Sequence, residues 1–181
     1  MATVPSLNIF NDTILKKIGK SLLAGLETVA VAESVTSGLV QYGLASIPDA
    51  SRFYQGGITA YNVAQKYKHL HVEPIHALAT DCVSRQVAEE MSLHVCSMFN
   101  SDWGIAATGY ATPTPESGNS MYAYYSIAHQ NKIKRSGLIK PGKKNTSITQ
   151  KDAPAIQFFY ASEVLRHLET LLRGHKKKKN K

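Results

Sequence analysis

Apolar residues recur with helical spacing from Asn8 to Leu23, at Ile9, Ile14, Leu15, Ile18, Leu22 and Leu23, with Lys16, Lys17 and Lys20 between them. One apolar stripe opposite a basic face predicts a surface helix. The pattern then changes. Thr28 to Ala32 is a short β-branched and alanine run closed by Glu33-Ser34, as expected of a strand buried on both faces. Thr36 or Ser37 is placed to cap a following helix that Pro48 stops near Ser46. A helical turn from Ser51 to Tyr54, a break at Gly56-Gly57, a short strand from Ile58 to Tyr61 and a helix from Asn62 to Leu70 follow.

Ser84 is placed to cap a periodic segment running to Phe99, and Trp103 to Ala107 reads as a second buried strand. Met121 to Ala128 and Lys132 to Ile139 flank Gln130-Asn131 as a hairpin. Asp152, with Pro154 in the first turn, opens a last helix through Leu172. Buried strands alternating with helices, plus one hairpin, predict an α/β fold: a three-layer α/β/α sandwich around a mixed, mostly parallel sheet.

The chain has 181 residues, enough for one self-sufficient core, so a single domain over 1–174 is expected. No basic and apolar leader opens it and no stretch has the length to span a bilayer, which points to a cytoplasmic protein without a membrane partner. The net charge of +8 changes the picture little, because five of the charges belong to Lys176 to Lys179 and Lys181. Residues 175–181 are read as a disordered, lysine-rich tail after a helix stop at Gly174, and the body gives no reason to expect nucleic acid. The two cysteines, Cys82 and Cys96, are assigned to one helix as small core residues. His69 and His71 flank Leu70 without a cysteine or carboxylate at ligand spacing, so no metal and no cofactor are expected.

In open α/β sheets ligands gather beyond the carboxyl ends of the strands. Two loops there carry hydroxyls and a glycine: Glu33-Ser34-Val35-Thr36-Ser37-Gly38 and Thr108-Gly109-Tyr110-Ala111-Thr112-Pro113. The first precedes a helix, whose free N–H groups favour an anion. The same hydroxyls are equally suited to capping helices and turns. Glu33 is open to two readings, an acid or base, or a buried strand-end carboxylate satisfied by backbone.

The two loops resemble the Glu-Ser-Cys-Thr-Gly-Gly and Thr-Gly-Ile-Ala-Gly-Pro signatures of the CinA C-terminal family. Ala50 to Asn62, followed by Lys66, is similar to that family's Gly-Ser-Ser-x-x-Phe-x-x-Gly-x-x-x-Tyr-x-x-x-x-Lys pattern. The resemblance is collinear from about Leu7 to Ala128. It implies a Ser-Lys amidase that hydrolyses the carboxamide of nicotinamide mononucleotide, with Ser51 as nucleophile, Lys66 as general base and Tyr61 beside them. It also implies a small-molecule nucleotide partner held by Ser34, Thr36, Gly38, Thr108 and Gly109. A homo-oligomer is expected. Lys143 is the candidate for the positive charge that the family's Gly-Asp-Arg stretch would supply, since that stretch is not recognisable here.

Spacing alone does not bring Ser51 to Lys66: an extended path between them would reach roughly 50 Å, so the chain must fold back or a neighbouring subunit must contribute. The departures are Val35 for cysteine, Ser37 for glycine, and Tyr110 and Thr112 for isoleucine and glycine. They keep a second expectation open, a catalytically silent nucleotide-binding or scaffolding domain.

Overall fold

The computed structural model describes residues 9–142 and 152–179. Helix α1 (Asp12–Gly25) starts at Asn11, whose side chain accepts from the Ile14 N–H. Strand β1 (Val29–Glu33) follows, then α2 (Leu39–Ala45), a 3-10 turn at Ala50–Arg52, β2 (Tyr54–Thr59), α3 (Val63–Leu70) and α4 (Pro74–Ala79). The second half holds α5 (Arg85–Phe99), β3 (Trp103–Tyr110), the β4 (Tyr122–His129) and β5 (Lys132–Ile139) hairpin, and α6 (Ala153–Lys179).

The strands form one sheet in the order β2-β1-β3-β4-β5. β1 pairs in parallel with β2 and β3, whereas β3, β4 and β5 form an antiparallel meander, so the sheet is mixed and its pairings divide evenly between the two kinds. β1 explains the layers. Val29 and Val31 point into a core shared with α1, α2 and α6, while Ala30 and Ala32 point into a second core under α3, α4 and α5. All five residues of β1 are buried, as a central strand covered on both faces requires. At its amino end, the Asp102 carboxylate accepts from the Thr28 N–H at 2.8 Å and hydroxyl at 2.9 Å, tying β1 to β3.

Several expected boundaries move for identifiable reasons. Gly56 and Gly57 do not break the chain; they lie inside β2, where Gln55 is an extra residue between the pairs Val29–Tyr54 and Ala30–Gly56. The bulge needs a positive φ, 125°, which Gly56 supplies. Cys82 is outside any helix, in the left-handed region (φ 59°) of the α4–α5 loop, although it is buried and unoxidised like Cys96. α4 was not foreseen: Glu73 caps it through the N–H groups of Ile75 and His76, with Pro74 next. Gly174 does not end α6, which runs on to Lys179 and packs His175 against Trp103, ring centroids 5.5 Å apart. At the hairpin, Gln130 and Asn131 both take positive φ (49° and 56°), the two-residue turn that the strands' twist favours.

One close approach fixes the layer spacing. A Cβ at Gly104 would lie 2.1 Å from the Ser92 carbonyl oxygen, so α5 rests directly on the backbone of β3.

Candidate active site

A cavity of about 550 Å³ opens beyond the carboxyl ends of β1 and β3, walled by α3, α4, the α4–α5 loop and the start of α6. Its volume suits a nucleotide-sized ligand. Ser34 comes from the end of β1, and its N–H donates to the Ala107 carbonyl of β3 at 3.0 Å. Lys66 comes from α3, whose N-cap Asn62 accepts from the Gln65 N–H at 3.0 Å. The two meet: Lys66 Nζ donates to Ser34 Oγ at 3.0 Å and to the Tyr61 carbonyl at 3.2 Å.

The Lys66 side chain is 1 % exposed. Burial pulls its ammonium below the ordinary lysine value, while the nearby Cys82 and Asp81 pull the other way. The burial thus favours the neutral amine over the ammonium relative to a lysine in water.

Ser51 does not join them. It is exposed in the 3-10 turn that enters β2, while Lys66 lies beyond the strand's other end. The six residues of β2 run the height of the sheet between the two, so the chain never folds back at the glycines. The serine that answers Lys66 is Ser34, which sequence reasoning had placed among the ligand-binding residues.

The other expected residues separate in the same way. Tyr61, Thr108 and Gly109 line the cavity. The Thr108 hydroxyl is committed to the Cys82 carbonyl at 2.8 Å, and a Cβ at Gly109 would meet the Tyr122 carbonyl at 2.3 Å, so that glycine serves the β3–β4 pairing. Thr36 and Gly38 lie outside the cavity wall. The reason is Glu33. Its buried carboxylate accepts from the N–H groups of Gly38 (3.0 Å), Val40 (3.2 Å) and Gln41 (2.9 Å), occupying the helix terminus that an anionic ligand would have used. Of the two readings of Glu33, the backbone-satisfied carboxylate holds. Lys143 lies outside the described residues.

Sequence reasoning missed Asp81, Cys82 and Gln157, because they reach the cavity from the α4–α5 loop and from α6 rather than from a strand end. The one local signal was Glu73-Pro74, which opens α4. Asp81 accepts from the Tyr110 hydroxyl at 2.9 Å, and burial together with Asp81 pushes that phenol well above its usual value. Val35, Tyr110 and Thr112, three positions where the chain departs from the pattern it resembles, all face the cavity.

Comparison with known proteins agrees with this architecture. A CinA-like protein of Synechocystis sp. (strain ATCC 27184 / PCC 6803 / Kazusa) is 42% identical over 102 residues, covering 56% of this chain and 24% of its own length. One of Trichodesmium erythraeum (strain IMS101) is 35% identical over 113 residues, covering 62% of this chain and 27% of its own. The chain thus spans about a quarter of the length of these curated relatives. The crystal structure of a competence-damaged protein (CinA) superfamily protein from Klebsiella pneumoniae superposes with a TM-score of 0.80 at 20% identity, over 93% of this chain and 99% of that one. The family profile of the CinA C-terminal domain matches residues 11–161, and with most of its length accounted for the chain belongs to that family.

Proposed function

We propose that the chain is an amidohydrolase acting on the carboxamide of nicotinamide mononucleotide or a close relative, with Ser34 as nucleophile and Lys66 as general base. The observation that carries the reading is the 3.0 Å contact between Ser34 Oγ and a lysine buried in the cavity wall. In the first step Ser34 Oγ bonds to the carboxamide carbon while neutral Lys66 takes the hydroxyl proton. The carbonyl oxygen becomes an oxyanion, which the N–H of Val35, on the cavity wall next to Ser34, would stabilise. Collapse of the tetrahedral adduct breaks the C–N bond, and Lys66 returns its proton to the leaving group, releasing ammonia. A water, deprotonated by Lys66, then attacks the acyl-serine ester; the C–Oγ bond breaks and Lys66 returns the proton to Ser34 Oγ, giving the carboxylic acid and restoring the free hydroxyl and neutral amine. No oxidant, cofactor or metal enters these steps.

The Tyr61 carbonyl, accepting from Nζ, orients the amine toward Ser34. Tyr61 itself is two-thirds exposed, so its ring is available at the mouth rather than within hydrogen-bond reach of the dyad. Incubation of the purified chain with nicotinamide mononucleotide and measurement of ammonia release tests the reading. Turnover is expected in the wild type and absent in Ser34→Ala and Lys66→Ala. Turnover that survives in Ser34→Ala overturns the mechanism.

A further inference from the structure

At the opposite end of the sheet from the cavity, Glu27, His129 and His175 converge from three separate elements. Glu27 precedes β1, His129 ends β4 and His175 lies near the end of α6. Their ligand atoms all lie within 4.8 Å of one another. His129 Nε2 and His175 Nε2 each stand 3.3 Å from the same oxygen, Glu27 Oε1.

We propose that these three side chains form a binding site for a divalent transition metal, zinc by preference. Two imidazoles and one carboxylate are the donor set that zinc takes in open, three-ligand sites. The spacing agrees. At metal–ligand distances of about 2.0–2.2 Å, a tetrahedral ion holds its ligand atoms roughly 3.3–3.6 Å apart. Without an ion, His129 Nε2 and Glu27 Oε1 share a hydrogen bond at 3.3 Å, longer than the roughly 2.8 Å of a charge-assisted one.

Two further observations point to a ligand at this place. His175 Nε2 is shielded from solvent yet makes no hydrogen bond among the described residues, although it faces a carboxylate. The surroundings also resemble the support that metal sites use around their ligands. The Trp103 indole N–H donates to the other Glu27 oxygen, Oε2, at 3.0 Å, which fixes the carboxylate and leaves Oε1 directed at the histidines. The same indole lies against His129 with centroids 4.2 Å apart and meets His175 edge-on at 5.5 Å, holding both rings in place. Glu27 and His129 are buried, while the His175 side chain is 26% exposed, giving a water access to the fourth coordination position. A bound ion would clamp the end of α6 to the amino end of β1.

The test uses the untagged chain of 181 residues, freed of metal by chelation and dialysed at mildly alkaline pH, where protons compete weakly for metal ligands. Titration with zinc is expected to saturate at one ion per chain and to raise the melting temperature. Titration with cobalt(II) is expected to give the intense visible absorption of a four-coordinate ion. His175→Ala, with its fold verified by circular dichroism, should weaken zinc binding at least about tenfold and abolish the thermal shift. A wild-type chain that takes up no zinc overturns the proposal. So does a cobalt spectrum that remains that of the hydrated ion, which decides the matter even where the variant does not fold. Wild-type affinity retained in a folded His175→Ala protein also overturns it, because the ion would then sit at another group such as the adjacent His71 and His94 rings.

Discussion

Lys66 Nζ lies 3.0 Å from Ser34 Oγ across 32 residues of sequence, and the lysine is more completely buried than the serine. Since burial lowers its pKa, the folded chain gives up this proton at a lower pH than the unfolded chain, whose lysine titrates near 10.5. The rate constant kcat/KM should therefore rise with pH along a limb whose midpoint lies below 10.5. A pH profile of ammonia release checks this, and a limb whose midpoint lies at or above 10.5 would exclude the buried Lys66 as the base.

The same shift makes Lys66 a cost to stability. Between its folded and unfolded pKa values the unfolded state holds more protons, so this residue's contribution to stability rises with pH. Its penalty is full below the folded value. Lys66→Met should consequently gain on the wild type in urea midpoint near neutral pH, and the gain should shrink as the pH approaches 10.5. A difference independent of pH would show that packing, not charge, governs the site.

Because Ser34 and Lys66 act as one unit in the proposed reaction, their removals should not add. Ser34→Ala, Lys66→Ala and the double variant should fall to similar residual rates. Ser51→Ala should keep wild-type turnover, since that serine is exposed at the far end of β2. Loss of turnover in folded Ser51→Ala would favour Ser51, reaching Lys66 from a neighbouring subunit, over Ser34 as the nucleophile.

Glu33 holds three backbone N–H groups at the start of α2, so Glu33→Ala leaves those donors without their acceptor. The expected loss is roughly 2–4 kcal/mol in chemical denaturation, the range for buried charge-assisted bonds. A loss below about 1 kcal/mol would mean that water replaces the carboxylate. Nearby, Ser37 has a φ of 50°, in the left-handed region. Ser37→Gly should gain about 1 kcal/mol by relieving that conformation, less whatever the contact from Gln157 Nε2 contributes.

Chains shortened from the carboxyl end should divide sharply at one residue. Removal of 176–181 should leave the melting temperature nearly unchanged, whereas removal of 175–181 should lower it by a few degrees in metal-free buffer, because His175 packs on Trp103 and His129. Equal melting temperatures for the two chains would show that the His175 contacts are not formed in solution.

The fold was largely legible because its signals are local. The valine–alanine alternation of β1, the Ser84 cap of α5 and the Gln130-Asn131 turn each specify a conformation within a few residues. The site was legible only in outline. Lys66, Tyr61, Ser34 and Thr108 all line the cavity, but the serine that Lys66 touches is the one 32 residues away, whereas the family pattern points to the one 15 residues away. A lysine's partner is set by tertiary packing, and neither spacing nor the family pattern states which loop folds over which. The Glu33 interaction was half visible: a carboxylate at a strand end beside a helix start has two uses, and the direction of the turn after Ser34 decides between them. The Glu27, His129 and His175 group left no trace in the sequence, because its members are 102 and 46 residues apart in the chain and share no motif.

The seating of Gly104 against the Ser92 carbonyl reaches the cavity from a distance. α5 rests on β3 there without any side chain as a spacer, and the loop bearing Asp81 and Cys82 leads directly into that helix. A methyl group at position 104 would act like a shim: it would prop the helix away from the sheet and displace the cavity wall beside Lys66, though residue 104 itself never meets a ligand. The width of the pocket is in this sense gauged from beneath, so Gly104→Ala is expected to lower ammonia release in the proposed reaction with Ser34 and Lys66 both still in place.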